Sequence, residues 1–351
     1  MRSNAARAAL MGLWLLCCAA YVLSPRRAAA QSHNLKIDLG GKLGTLPVTA
    51  EAEAEVEAAA AAAAEISDED AMAAFRRFNK RFGLVVNPGE YAKTDTTKAC
   101  KPENQIRTKV WEGNHDYPLC RLPKKRHGDC MFWSFGVSNA DDFSRSLAED
   151  FKCRGFALDP SSKSENISHY MHTEPNVLYL PFGLAAPTNG PFSEEISKME
   201  WQMTSLPSLR KFLMAAPPVK AGAPSWDGHL DVVKIDCEGC EYTIADTVLK
   251  EDRHFFKNID QVVLELHMPK AFAPTRDVAM GIPKLIYLLE EAGLMVQPQP
   301  TGKWGACSAH FERKGCADLF VELGYERCVK KQMRICNHFI FYRDDYDAAN
   351  Y

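Results

Sequence analysis

The chain has no basic block of useful length. Its 42 Lys and Arg are outnumbered by 45 Asp and Glu, giving a net charge of −3 and a pI near 6.4. The one short basic cluster, Lys124-Lys125-Arg126, reads as a solvated loop. Nucleic acid is therefore not an expected partner. No full G-x-G-x-x-G run follows the first strand-like segment, where Gly136 stands alone. That counts against a dinucleotide, whose pyrophosphate needs close backbone approach at several glycines. Cys237 and Cys240 form a C-x-x-C with no second pair of like spacing. The intervals Cys307/Cys316 and Cys328/Cys336 are too wide for a zinc ribbon, so no metal site is expected from the cysteines. No acid precedes Asp38.

What is present is ordinary globular composition, 46% apolar and 25% charged. The length suits one large domain, or two small ones, with tails. Ten of the twelve cysteines lie beyond the N-terminal apolar stretch. An even number in the body fits an oxidising compartment with some disulfides, of unreadable connectivity. Arg2 and Arg7 precede an uncharged run, Ala8 to Pro25, and Arg26, Arg27 and three alanines follow. This pattern describes a secretory signal or, at 18 residues, an uncleaved anchor with a lumenal body. An organellar transit peptide is the alternative. Four regions follow: signal or anchor (1–30), an Ala/Glu-rich stalk with a short helix (31–90), a catalytic-type domain (91–345) and a tail (346–351). Asn166-Ile167-Ser168 is a glycosylation sequon, usable only in a lumenal body.

Met72, Phe75, Phe78 and Phe82 recur at helical spacing and predict a packing helix over 70–82. From Tyr91 to Arg126 the chain reads as an irregular lead-in with a short helix near Asn104 to Trp111. A strand, Cys130 to Phe135, then ends in Gly136. A helix with Phe143, Leu147 and Phe151 leads to a second strand, Gly155 to Leu158, closed by Asp159. This is the first half of a nucleotide-binding α/β domain, in which an acid at the second strand accepts from ribose hydroxyls. Val177 to Leu184 gives a third strand and turn, and a helix follows near Ser208 to Met214.

The chain is organised around Leu230 to Tyr242, LDVVKIDCEGCEY. Its apolar run reads as a buried parallel strand that stops at Asp236, with Glu238 and Glu241 close behind. Gln261 to His267 is a fifth strand, with Glu265 conspicuous on an apolar segment and His267 at its end. A helix from Ile282 to Gly293, a strand at Leu294 to Val296, a short helix at Asp318 to Leu323 and a closing strand, His338 to Tyr342, complete a mostly parallel seven-stranded α/β sheet with helices on both faces.

Two motifs carry a resemblance. Val233 to Glu241 resembles the K-I-D-x-E-G-x-E motif of FkbM-type methyltransferases. Trp133-Ser134-Phe135-Gly136, Ala157 to Ser161 and Glu265-Leu266-His267 resemble a related methyltransferase-like family (the methyltransferase domain 22 type). The resemblance covers roughly Cys130 to Arg343. It implies a Rossmann-like class I fold and S-adenosylmethionine as cofactor, held at Ser134, Phe135 and Gly136 with Asp159 on the ribose. It implies methyl transfer to an oxygen or nitrogen acceptor, with Asp236 and Glu238 facing the transfer site and His267 as base or substrate contact. The acceptor expected here, from the residues rather than the resemblance, is a hydroxyl of a small molecule or glycan, with Asp236 or His267 as base. The chain departs from the family at His338, where an acid is usual. Glu241 has a second reading, as an acid complementing the dipole of its helix. A catalytically inactive binding module and a dinucleotide-dependent oxidoreductase stay open as alternatives.

Overall fold

The computed structural model of the protein describes residues 65–82, 100, 104–108, 117–122, 126–137, 141–161, 176–184, 202–215, 226–297, 315–329 and 336–343, all within one compact unit, Glu57–Tyr351. The N-terminal apolar segment, the Ala/Glu-rich stretch to residue 64, the Asn166 sequon and the tail after Arg343 lie outside the described residues.

Eleven strands are described: β1 (Gln105–Arg107), β2 (Pro118–Cys120), β3 (Met131–Phe135), β4 (Arg154–Leu158), β5 (Val177–Leu180), β6 (Phe182–Leu184), β7 (Gln202–Thr204), β8 (Leu230–Ile235), β9 (Ile259–His267), β10 (Leu294–Gln297) and β11 (Cys336–Arg343). The helices are α1 (Asp68–Phe82), α2 (Asp142–Asp150), α3 (Leu206–Ala215), α4 (Glu241–Glu251), α5 (Arg276–Ala279), α6 (Gly281–Glu291), α7 (Asp318–Glu322) and α8 (Glu326–Val329). Seven strands form one sheet in the order β10-β11-β9-β8-β3-β4-β5. The run from β9 to β5 is parallel, and β11 is antiparallel to both neighbours. Relative to a doubly wound sheet of order 3-2-1-4-5-6, one reversed strand has been inserted between the fifth and the sixth. The expected Rossmann-like α/β class is therefore the fold. The crossovers β3–α2–β4 and β8–α4–β9 leave adjacent strands towards opposite edges. Since such crossovers are right-handed, their helices cover opposite faces.

Burial explains the strand composition. β8 and β9 are buried along their whole length, so both faces must be apolar or paired. At the amino end of β8, Asp231 is fully buried and gripped by the Arg126 guanidinium at 2.6 and 2.8 Å, while also accepting from the Met131 N–H at 2.8 Å. That clamp holds the starts of β3 and β8 in register.

Two expectations are corrected. Gln105 to Arg107 is not helical; it pairs antiparallel with Pro118–Cys120. The cause is tertiary. The Gln261 side chain on β9 accepts from the Cys120 N–H at 3.1 Å and donates to its carbonyl at 3.0 Å, and a disulfide joins Cys100 to Cys120. Phe182 to Leu184 is not a turn but a separate strand, pairing parallel with β7. Pro181, which lacks an N–H, separates it from β5.

Helix α1 docks as its spacing predicts. Met72, Phe75 and Phe78 are buried. Phe78 packs on Phe339 and Phe341 of β11 at 4.9 and 5.9 Å between ring centroids, and Phe75 lies 5.8 Å from Phe320. Phe78→Ala should cost about 3–5 kcal/mol in urea denaturation. A loss below about 1 kcal/mol would show that α1 contributes nothing to the stability of the sheet.

Candidate functional site

In a doubly wound sheet the ligand crevice opens beyond the carboxyl ends of the strands, where the strand order reverses. Here that point lies between β3 and β8. Gly136 closes β3 with φ +74°, and a Cβ at that position would lie 1.4 Å from the Asp236 carbonyl oxygen. Only glycine allows this approach. The Asp236 N–H donates to the Phe135 carbonyl at 3.2 Å and the Gly136 N–H to that of Leu158 at 2.9 Å, so three strand ends are laced together. Asp159 ends β4 and accepts from the Ser161 N–H at 2.8 Å and hydroxyl at 2.5 Å. Its carboxylate therefore sits in a tight turn at the second strand.

Register explains what faces the crevice. Residues two apart on a strand share a face, and residues opposite one another on adjacent strands do too. Ile235 pairs with Leu264, and Glu265 with His338. Lys234 and Asp236, Glu265 and His267, and His338 therefore project on one side of three neighbouring strands. The alternate positions, Val233, Ile235, Leu264, Leu266 and Phe339, are wholly buried apolar core.

These charges form a network. Lys234 is buried and donates to the Gly136 carbonyl at 2.8 Å. Its ammonium lies 3.2 Å from Asp236 Oδ2 and 4.5 Å from the centre of the Tyr117 ring. The Tyr117 hydroxyl donates to the same Oδ2 at 2.5 Å. His267 Nε2 stands 3.8 Å from Asp236 Oδ1 and 3.8 Å from Glu265 Oε1, and His338 Nε2 is 2.8 Å from Glu265 Oε2. Burial alone would raise the Asp236 carboxyl. The Lys234 and His267 charges and the Tyr117 hydrogen bond outweigh it and hold the group well below the usual carboxylate range. Burial alone would lower the His267 imidazole, but Glu241, Glu265 and Asp236 outweigh it and raise it to about 10. Burial, then the charges of Asp236 and Glu265, push the Tyr117 phenol far up, so it remains a neutral donor.

Glu241 is the keystone of the loop. It is fully buried in the first turn of α4. One oxygen accepts from the Gly239 N–H at 2.8 Å and the other lies 2.6 Å from His267 Nδ1. A carboxylate only accepts, so Nδ1 carries the proton. The Tyr242 hydroxyl adds a 2.5 Å bond to the His267 carbonyl. The intervening turn puts Glu238 at φ +49° and Gly239 at φ +116°, and a disulfide joins Cys237 to Cys240 across it. Glu238 is exposed on the rim. Its carboxyl is raised above the ordinary value, first by lost solvent on the cleft side and then by Asp236, Glu265 and Glu241, against the pull of His267.

The structure brings Gly136, Asp236 and His267 together, with Glu238 above them and Asp159 two strands away, beyond β3. Ser134 and Phe135 are buried in β3 beneath the crevice. Sequence reasoning missed Tyr117, Lys234 and the grip of Glu241. Lys234 carried a signal, a lone cation within an apolar strand. Tyr117 carried none, since it arrives on the β2 hairpin. The aberrant His338 is explained by its partner, for it sits opposite Glu265.

No family model matches the chain, and no curated protein matches it. Among solved structures it is similar to the fibrillarin pre-rRNA processing protein of Methanococcus jannaschii, at 11% identity over 70% of this chain and 85% of that one, with a TM-score of 0.30. It is also similar to the plantazolicin methyltransferase BamL in complex with a triazolic desmethylPZN analog and SAH (10% identity, 83% and 91% covered, TM-score 0.28). A methyltransferase from Pyrococcus furiosus matches at 11% identity over 61% and 74%, with a TM-score of 0.26. Likenesses this loose fix neither site nor substrate.

Glu241→Ala should cost about 3–5 kcal/mol in urea denaturation, because a buried imidazole loses its charged partner. Glu241→Gln, which keeps an acceptor, should cost less. A residue that served only the helix dipole would cost about 0.3–1 kcal/mol, and that result for Glu241→Ala would refute the gripping role.

Proposed function

We propose that the protein is a class I S-adenosylmethionine-dependent methyltransferase acting on a hydroxyl of a small-molecule or glycan acceptor. The observation that carries this reading is the crevice between β3 and β8. Its floor is the Gly136–Asp236 backbone contact, a ribose-competent acid stands on the β4 side, and buried charges stand on the β9 side. A sulfonium cofactor has no pyrophosphate, so one close-approach glycine suffices where a dinucleotide would want several. Gly136 and its flanking backbone would receive the cofactor, and Asp159 would accept from its ribose.

The methyl group of such a cofactor is already electrophilic, so alignment of the nucleophile is the main task. Alignment can supply about 7–11 kcal/mol. The acceptor oxygen attacks the methyl carbon as the carbon–sulfur bond breaks. The bonding pair leaves with sulfur as a neutral thioether, and the hydroxyl proton goes to a carboxylate. Asp236 and His267, fixed by Tyr117, Lys234 and Glu241, would orient the acceptor. Glu238, exposed on the rim with a raised carboxyl, suits the proton-accepting role best.

Calorimetry of the purified chain should show S-adenosylhomocysteine binding tighter than about 1 mM. Asp159→Ala should weaken it about tenfold or more, since hydrogen bonds to a charged group contribute about 1.5–3 kcal/mol. Asp236→Ala should leave cofactor binding unchanged and abolish methyl transfer. No heat with either S-adenosylmethionine or S-adenosylhomocysteine would refute the enzyme reading, and heat with NAD instead would point to an oxidoreductase.

We also propose a lumenal setting, anchored or secreted through residues 8–25. Four disulfides, Cys100–Cys120, Cys130–Cys153, Cys237–Cys240 and Cys316–Cys328, support it, because such bonds persist in oxidising compartments. Endoglycosidase treatment of the expressed full chain should increase its gel mobility, and Asn166→Gln should remove that shift. A band unmoved by the enzyme would count against the lumen.

A further inference from the structure

Among the described residues three groups of His, Cys and carboxylate side chains converge closely enough to share an ion. Two are closed. The Asp231 carboxylate of the His229–Asp231–Asp260 group is filled by the Arg126 guanidinium on both oxygens. The two sulfurs of the Cys237–Cys240–Glu241 group are spent on each other. The third, Asp236, Glu265 and His267, is arranged differently.

Asp236 and His267 are hydrogen-bonded at the far polar atom and Glu265 is in ion-pair contact at its own, and the three near atoms converge. Asp236 Oδ2 is held by the Tyr117 hydroxyl at 2.5 Å and the Lys234 ammonium at 3.2 Å, which turns Oδ1 inward. Glu265 Oε2 is 2.8 Å from His338 Nε2, which turns Oε1 inward. His267 Nδ1 is 2.6 Å from Glu241 Oε1, which turns Nε2 inward; the proton that Nε2 carries in the cationic ring is the one an entering ion displaces. The inward nitrogen lies 3.8 Å from each inward oxygen, beyond hydrogen-bond reach, and the three atoms lie within 4.8 Å of one another. Ligands about 2.1 Å from an ion at angles of 90–120° are about 3.0–3.6 Å apart, so the two nitrogen–oxygen gaps would have to shorten by about 0.2–0.8 Å for an ion to be gripped. The His267–Glu241 contact has the form of the carboxylate–histidine–metal arrangement that fixes ring orientation in metal sites.

We propose that Asp236 Oδ1, Glu265 Oε1 and His267 Nε2 form a facial binding site for a divalent transition-metal ion at the floor of the crevice. One imidazole with two carboxylates suits Mn²⁺, Fe²⁺ or Zn²⁺ better than Mg²⁺ or Ca²⁺. Three protein ligands on one side leave positions open toward the crevice for water or an acceptor oxygen. The site stands on this geometry alone, whereas its use in catalysis rests on the methyltransferase reading. In that use, the acceptor hydroxyl binds the ion and loses its proton to Glu238. The resulting alkoxide forms the bond to the methyl carbon while the carbon–sulfur pair leaves with sulfur. A bound dication makes such deprotonation feasible near neutral pH.

The test uses the full chain, stripped with chelator and titrated with MnCl₂, with free Mn²⁺ followed by its electron paramagnetic resonance signal. One equivalent should bind, with Mg²⁺ at least tenfold weaker. Asp236→Asn and Glu265→Gln should each weaken Mn²⁺ at least tenfold while the thermal transition stays cooperative. Glu241→Gln should weaken it about 10–100-fold, the range for outer partners of metal ligands. No Mn²⁺ or Zn²⁺ binding at millimolar metal, or binding that survives both ligand substitutions, overturns the site. Calorimetry with S-adenosylhomocysteine on the same samples separates the two readings. Metal without cofactor overturns the methyltransferase and keeps the site; cofactor without metal does the reverse.

Discussion

Buried charge is the constraint on which this molecule turns. Lys234, Asp236, Glu265, His267 and His338 all project from one face of β8, β9 and β11, and Glu241 reaches the same cluster from α4. An unpaired ion there would be costly, so each group must find a partner of opposite sign or a strong hydrogen bond. The surrounding structure supplies them. The β1–β2 hairpin brings Tyr117 over Lys234, and β11 runs antiparallel so that His338 meets Glu265. The sharp turn at Glu238 and Gly239 brings Glu241 back onto His267.

Much of this architecture was legible in the sequence. Seven strands, their helices and the turn at Gly136 followed from apolar periodicity, because β8, β9 and α6 are long and buried on the faces their patterns imply. The misreadings are instructive. Gln105 to Arg107 has no strand pattern of its own. It becomes a strand because Cys100–Cys120 and the Gln261 side chain hold its partner against β9. Phe182 to Leu184 continues an apolar run, yet Pro181 forces it out of the main sheet.

The site divides in the same way. Asp236, Glu238 and His267 stand at strand ends, where an acid or imidazole after an apolar run is conspicuous. Glu241 looked like a helix-dipole acid, and its position in the first turn of α4 fits that reading; the side chain also turns inward to hold His267 and Gly239. Tyr117 and His338 acquire meaning only through register. No spacing rule links them to Asp236 or Glu265, because the strands that carry them are brought together by the order of the sheet.

Glu238 and Asp236 show how one short turn separates two carboxylates. Asp236 is continuous with β8 and is locked by Lys234 and Tyr117, so its charge is fixed. Glu238 follows two residues later, in a left-handed backbone conformation that turns its side chain outward to the rim. The Cys237–Cys240 disulfide brackets this reversal and Glu241 fastens its far end. A charged floor with an exposed carboxylate above it suits the proposed transfer, which needs a fixed donor position. The floor is fixed by its buried partners, and a change at the exposed rim carboxylate leaves those contacts in place.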